Sequence, residues 1–78
     1  MTHERIEINP KIMFGKPVVK GTRITVEQIL RKLGSGETIQ EIIEDHPHLE
    51  TEDIYAAVDF AADYLAQEEI LLANGQRL

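Results

Sequence analysis

The residues best suited to chemistry lie between Gly15 and Thr25, in the run Gly-Lys-Pro-Val-Val-Lys-Gly-Thr-Arg-Ile-Thr. Lys16, Lys20 and Arg23 fall inside it, Lys11 stands just before it, and Arg31 and Lys32 follow shortly after. Lysine and arginine meeting phosphates supply much of the affinity of nucleic-acid binding. Lys11, Lys16, Lys20, Arg23, Arg31 and Lys32 are therefore the candidate nucleic-acid contacts. The competing reading is a pair of structural turns whose cations are neutralised by acidic helices.

Catalytic chemistry finds no comparable footing. With no cysteine in the chain, thiolate nucleophiles, thiolate zinc sites and disulfides are excluded. Ser35 and the threonines have capping or turn roles and no histidine at a nucleophile spacing. Glu52 and Asp53 are adjacent on a helix, so they point in different directions. Gly15 to Gly21 lacks the Gly-Lys-Thr ending of a phosphate-binding loop. His46 and His48 flank Pro47 beside Asp45, a pattern that fits exposed turn residues better than a metal site. No catalytic residue, metal or cofactor is expected.

The charge is unevenly spread. The net −6 of the chain divides into a first half, Met1 to Gly36, with seven bases against three acids, and a second half, Glu37 to Leu78, with eleven acids and Arg77 as its one base. Such asymmetry suits two surfaces, one for an anion and one for a basic protein. The length of 78 residues is read as one domain, 1–78, burying roughly 60% of its unfolded surface, a size at which oligomerisation helps. No apolar run approaches a membrane span and no signal segment follows the first residues, so a soluble cytoplasmic protein is expected.

These groups must be positioned by a small set of elements. Gly15 and Lys16-Pro17 suit a turn, Val18-Val19 a short strand, Lys20-Gly21 a second turn, and Thr22 to Thr25 a return strand, with Ile6 and Ile8 as a further strand. This is a β-ribbon over about 6–24. Thr25-Val26-Glu27-Gln28 reads as a capping box opening a helix with Val26, Ile29, Leu30 and Leu33 on one stripe, stopped by Gly34-Ser35-Gly36. Thr38-Ile39-Gln40-Glu41 opens a second, short helix that ends before Pro47. A longer third helix begins near Thr51 with a stripe of Ile54, Ala57, Val58, Ala61 and Leu65, flanked by Phe60 and Tyr64. The helices occupy about 26–72, followed by a short tail, 73–78. The fold expected is mainly α: an N-terminal short β-ribbon followed by a three-helix, helix-turn-helix-like (homeodomain-like) unit.

Read together, Ile6-x-x-x-Pro10-Lys11-Ile12-x-x-Gly15-Lys16-Pro17-Val18-x-Lys20-Gly21-Thr22-Arg23-Ile24-Thr25-Val26, with Ile29-Leu30, Leu33, Gly36, the Ile39 to Ile43 segment, Pro47-x-Leu49, Asp53-Ile54 and Ala56-Ala57, resembles the small prokaryotic family called domain of unknown function 433. The likeness covers about Ile6 to Ala62, and its paired Gly-Lys-Pro and Gly-Thr-Arg are its most specific part. It implies a helix-turn-helix-like domain of the kind compared with VapB-type antitoxins, which bind and neutralise a PIN-like nuclease toxin and also bind their own promoter DNA. Glu50 stands where the family pattern has a threonine, so the third helix is expected either to be capped by Thr51 or to begin less cleanly, with Glu52 and Asp53 in its first turn complementing the positive helix end.

Conventional groove insertion sits badly with these charges. The third helix offers Glu52, Asp53, Asp59 and Asp63, and no lysine or arginine occurs between Glu37 and Gln76. DNA contact is therefore expected from the ribbon cations, doubled across a homodimer. The acidic half suits the nuclease: Glu68, Glu69, Ile70, Leu71 and Leu72 are the expected partner-binding residues, unless those leucines pack on the chain's own core or on a second copy. The alternatives are a stand-alone DNA-binding transcriptional regulator and a structural protein-interaction module.

Overall fold

A computed structural model describes residues 3–67. Its elements run β1 (Ile6–Glu7), a single turn at Met13–Gly15, β2 (Val18–Val19), α1 (Val26–Gly34), α2 (Ile39–Asp45) and α3 (Thr51–Gln67). The fold is mainly helical, with a short antiparallel pair of strands ahead of three helices. Among the described residues, no helix is long and apolar enough to cross a membrane.

The ribbon differs in detail from the hairpin expected over Val18 to Thr25. β2 pairs with β1, in the register Ile6 to Val19 and Glu7 to Val18, and the return segment contributes one isolated bridge, Val18 to Thr25. The cause is local. Thr22 N donates to the Val19 carbonyl at 2.9 Å and Gly21 takes φ +79°, which makes Val19–Thr22 a tight turn that needs glycine at its third position. Thr22 Oγ1 then accepts the amide of Ile24 at 3.0 Å, and the return segment closes back on β2 through Val19 N to the Ile24 carbonyl and Val26 N to the Pro17 carbonyl, both at 2.9 Å. Ile8 leaves the strand and is exposed.

Helix boundaries follow local chemistry. Thr25 Oγ1 accepts from Gln28 N at 3.0 Å and opens α1, without a returning bond from Gln28. At its end, Glu37 N donates to the Lys32 carbonyl and Gly36 N to that of Leu33, both at 3.0 Å, with Gly36 at φ +96°. This pairing is the Schellman stop, and the left-handed residue it requires is the glycine. Thr38 and Glu41 form a complete capping box on α2.

α3 starts at Thr51 with Glu52 and Asp53 in its first turn, as expected, and of the two expected openings it takes the one in which Thr51 is not the cap. Thr51 is already the first helical residue, and the Asp53 carboxylate accepts the Glu50 amide at 2.8 Å. The other Asp53 oxygen accepts from Arg5 at 3.0 Å. Those two bonds let Asp53 sit buried among apolar neighbours.

The core joins Val19, Ile24, Val26, Ile29, Ile42, Leu49, Ile54 and Ala57, with Leu30, Leu33, Ile39, Phe60 and Ala61 packed around it. Ile29, Ile42 and Ile54, one from each helix, are fully buried. The buried side of α3 is centred on Ala57, so Phe60 packs inward while Val58 and Leu65, expected on the core stripe, are exposed. At 100° per residue, a helix seated on Ala57 carries Val58 away from the interface.

Candidate functional site

The six candidate cations do not form one surface. Lys16, Arg31 and Lys32 line an open cleft of about 400 Å³ together with Met13, Thr25, Gln28 and the acids Glu27 and Glu37. Glu27 sits between two of them: Lys16 Nζ lies 3.1 Å from Oε1 and Arg31 reaches Oε2 at 3.3 Å. The hydrogen bond from Lys16, then its charge, then Arg31, hold the Glu27 carboxyl below its ordinary value. Lys32 is shared between Glu37 at 3.7 Å and Asp45 at 3.8 Å. Lys16, Arg31 and Lys32 are thus answered by Glu27, Glu37 and Asp45, and a phosphate entering the cleft competes with bonds already made. Lys11, Lys20 and Arg23 are exposed and, among the described residues, make no ion pair within 4 Å.

The opposite charge has a more coherent geometry. Along the outer side of α3, Glu52, Tyr55, Ala56, Val58, Asp59 and Ala62 line a shallow depression of about 520 Å³. Tyr55 and Val58 are exposed walls, the alanines keep the floor low, and Glu52 and Asp59 stand open to solvent. A lysine or arginine from another protein can lay its aliphatic stem on such a surface and bring its head to the carboxylates, with the Tyr55 ring available to the cation. Farther along, Tyr64 and Leu65 are also exposed and line a second, apolar groove with Pro17, Val26, Leu30, Phe60 and Ala61, of about 300 Å³.

The candidates Glu68, Glu69, Ile70, Leu71 and Leu72 lie outside the described residues. Among the described residues, His46 and His48 join no group of three potential metal ligands; His46 is the C-cap of α2 and His48 is exposed.

Three features were not visible in the sequence. Arg5, which carries no motif, binds Asp53 and approaches Glu50 at 3.6 Å; its guanidinium is held above its ordinary pKa, first by the Asp53 hydrogen bond. The exposed side of α3 depends on how the helix is seated. Met13 and Phe14 both take left-handed backbone angles, φ 48° and 58°, and Phe14 is 95% exposed. A bulky residue rarely adopts that conformation, and such strain gathers at functional positions. The apolar run Ile12-Met13-Phe14 was the only hint, and it argues for burial.

The described residues thus set a two-stranded ribbon ahead of three helices, with a divided cationic side and an acidic outer face of α3 that exposes Tyr55. The chain belongs to the family described as protein of unknown function DUF433, whose model matches residues 6–61. It is similar to the uncharacterized protein y4eO of Sinorhizobium fredii, at 33% identity over 58 residues, covering 74% of this chain. The chain spans only 26% of that relative's length. A crystal structure of a DUF433 member from Anabaena variabilis superimposes with a TM-score of 0.75 at 27% identity, covering 81% of this chain and 62% of that one.

Proposed function

We propose that this protein is a binding partner of the antitoxin type, which docks α3 against a basic protein and thereby silences a PIN-like nuclease toxin. The observation that carries the reading is the depression on α3, where exposed Tyr55 and Val58 lie beside Glu52 and Asp59. A nuclease gathers lysine and arginine around its phosphate-binding path, so an acidic surface with aromatic and aliphatic walls complements it in charge and shape. Residues 37–67 carry no lysine or arginine to oppose that approach.

The test is co-expression of the tagged chain with the product of the adjacent reading frame, followed by size exclusion and an RNase assay. A stable complex with suppressed RNase activity, lost in the Glu52→Lys/Tyr55→Ala variant, supports the reading. Failure to copurify, elution as a lone homodimer, or a complex indifferent to that variant defeats it. Deleting residues 68–78 asks separately whether Glu68 to Leu72 contribute to capture.

A second reading, binding to promoter DNA, is favoured by one observation: Lys11, Lys20 and Arg23 keep their charges unpaired among the described residues. They can meet phosphates without breaking an existing bond, whereas Lys16, Arg31 and Lys32 cannot.

A further inference from the structure

Near its beginning the chain reaches across to α3 a second time, beside the Arg5 contact. His3 Nε2 lies 2.8 Å from Asp63 Oδ2, and its Nδ1 lies 4.0 Å from Asp59 Oδ2. One ligand atom from each of the three residues lies within 4.8 Å of the others. We propose that His3, Asp59 and Asp63 bind a divalent transition-metal ion of the zinc class, which staples the amino-terminal segment to α3.

The arrangement has three properties of a ligand set. Asp59 and Asp63 are one helical turn apart and so face the same way. Among the described residues, neither has a lysine or arginine within 4 Å; the imidazole is their shared basic neighbour, while Arg5 is taken by Asp53 and Glu50. The imidazole is also held: its side chain is only 15% exposed, and its ring meets Phe60 edge-on, 5.2 Å between centroids at 79°. A ring with few alternative orientations loses little freedom on ligation.

Ligand chemistry selects the ion. Two carboxylates and one neutral imidazole balance a 2+ charge and leave positions open for water. Imidazole suits zinc, cobalt and nickel, whereas calcium and magnesium take oxygen ligands. A metal bound at Nε2 takes the place of the contact between Nε2 and the Asp63 carboxylate. Its effect is structural, tying together segments 60 residues apart, a device small domains commonly use to supplement a limited core.

The experiment is isothermal titration of the untagged full-length chain with Zn²⁺, and with Co²⁺ followed by visible absorption, on the natural sequence and on the variants His3→Ala, Asp63→Asn and His46→Ala/His48→Ala. One ion per chain is expected, with affinity falling about 10- to 100-fold in His3→Ala and in Asp63→Asn, as for loss of a ligand or its support. Affinity should hold in His46→Ala/His48→Ala. Saturating Zn²⁺ should raise the melting midpoint by about 5–10 °C, and Mg²⁺ or Ca²⁺ should leave it unmoved. Circular dichroism of each variant confirms that it is folded before titration. The proposal is overturned if Zn²⁺ does not bind below millimolar concentration, if His3→Ala and Asp63→Asn bind as the natural chain does, or if removal of His46 and His48 abolishes binding.

Discussion

Replacing Asp53 by alanine tests the reasoning about α3 at its strictest point. One carboxylate oxygen accepts the Glu50 amide at 2.8 Å and the other accepts Arg5 at 3.0 Å, at a site where the Asp53 side chain is 11% exposed. The first bond has the geometry of a helix cap, whose loss costs about 1 kcal/mol and at most about 2. The second is a charge-assisted bond, but Arg5 is 44% exposed and regains water when freed, so little is added beyond the modest value of a half-exposed pair. Asp53→Ala should therefore destabilise the protein by about 1.5–3 kcal/mol. For a chain of this size that lowers the melting midpoint by roughly 8–20 °C. Urea unfolding followed by far-UV circular dichroism measures it directly. Asp53→Asn keeps an acceptor for the Glu50 amide and loses the charge, so it should fall between Asp53→Ala and the natural chain. Arg5→Ala should cost less than Asp53→Ala. A loss below about 0.5 kcal/mol in Asp53→Ala, or an Arg5→Ala variant as unstable as Asp53→Ala, would refute the account.

Other outcomes follow from the same geometry. Gly36→Ala should cost about 1 kcal/mol, because φ +96° is a left-handed angle that any Cβ strains although open space surrounds it; equal stability of Gly36→Ala in urea melts would contradict the Schellman assignment. The Glu41 carboxyl lies below its ordinary 4.5 because the Thr38 amide, then the Thr38 hydroxyl, favour its charged form, and Glu27 is lowered by Lys16 and Arg31. Their stabilisation is complete above the unfolded value and disappears as pH falls through the lowered folded values, so Glu41→Gln should flatten the acid limb of a stability-against-pH curve. Leu65→Ser, at a residue 58% exposed, should leave the stability within about 0.5 kcal/mol of the natural chain; a larger loss would place it in the core after all. If the DNA reading holds, Lys20→Ala/Arg23→Ala should weaken DNA binding and flatten its salt dependence, by about one unit of slope for each phosphate no longer neutralised, while Lys16→Ala changes less. Fluorescence anisotropy across a salt series separates these cases.

What was legible in the sequence is what neighbouring residues decide. The hydroxyls of Thr25 and Thr38 and the glycine at 36 act within four residues, and the helix ends they control lie where the pattern places them. The Gly-Lys-Pro and Gly-Thr-Arg pair pointed to the family, which the match over 6–61 establishes. Long-range choices were hidden. Val58 and Phe60 are both apolar and both near the stripe, and only the seating of α3 on Ala57 sends one out and the other in. The six cations look alike in sequence, yet Glu27 claims two of them and leaves Lys20 and Arg23 alone. His3 gave no signal because Asp63 is 60 residues away.

The same distances bear on how the protein is made. The segment leading into β1 forms its side-chain bonds with α3, across separations of 48 residues for Arg5 and 60 for His3. A chain emerging from the ribosome can pair β1 with β2 and wind α1 and α2 early, since those contacts are local. Ile29 and Ile42, however, wait for Ile54 and Ala57 to cover them. Folding during translation is thus held open until α3 has left the exit tunnel, and the α1 and α2 segments that emerge ahead of it leave Ile29 and Ile42 uncovered and open to chaperones and proteases.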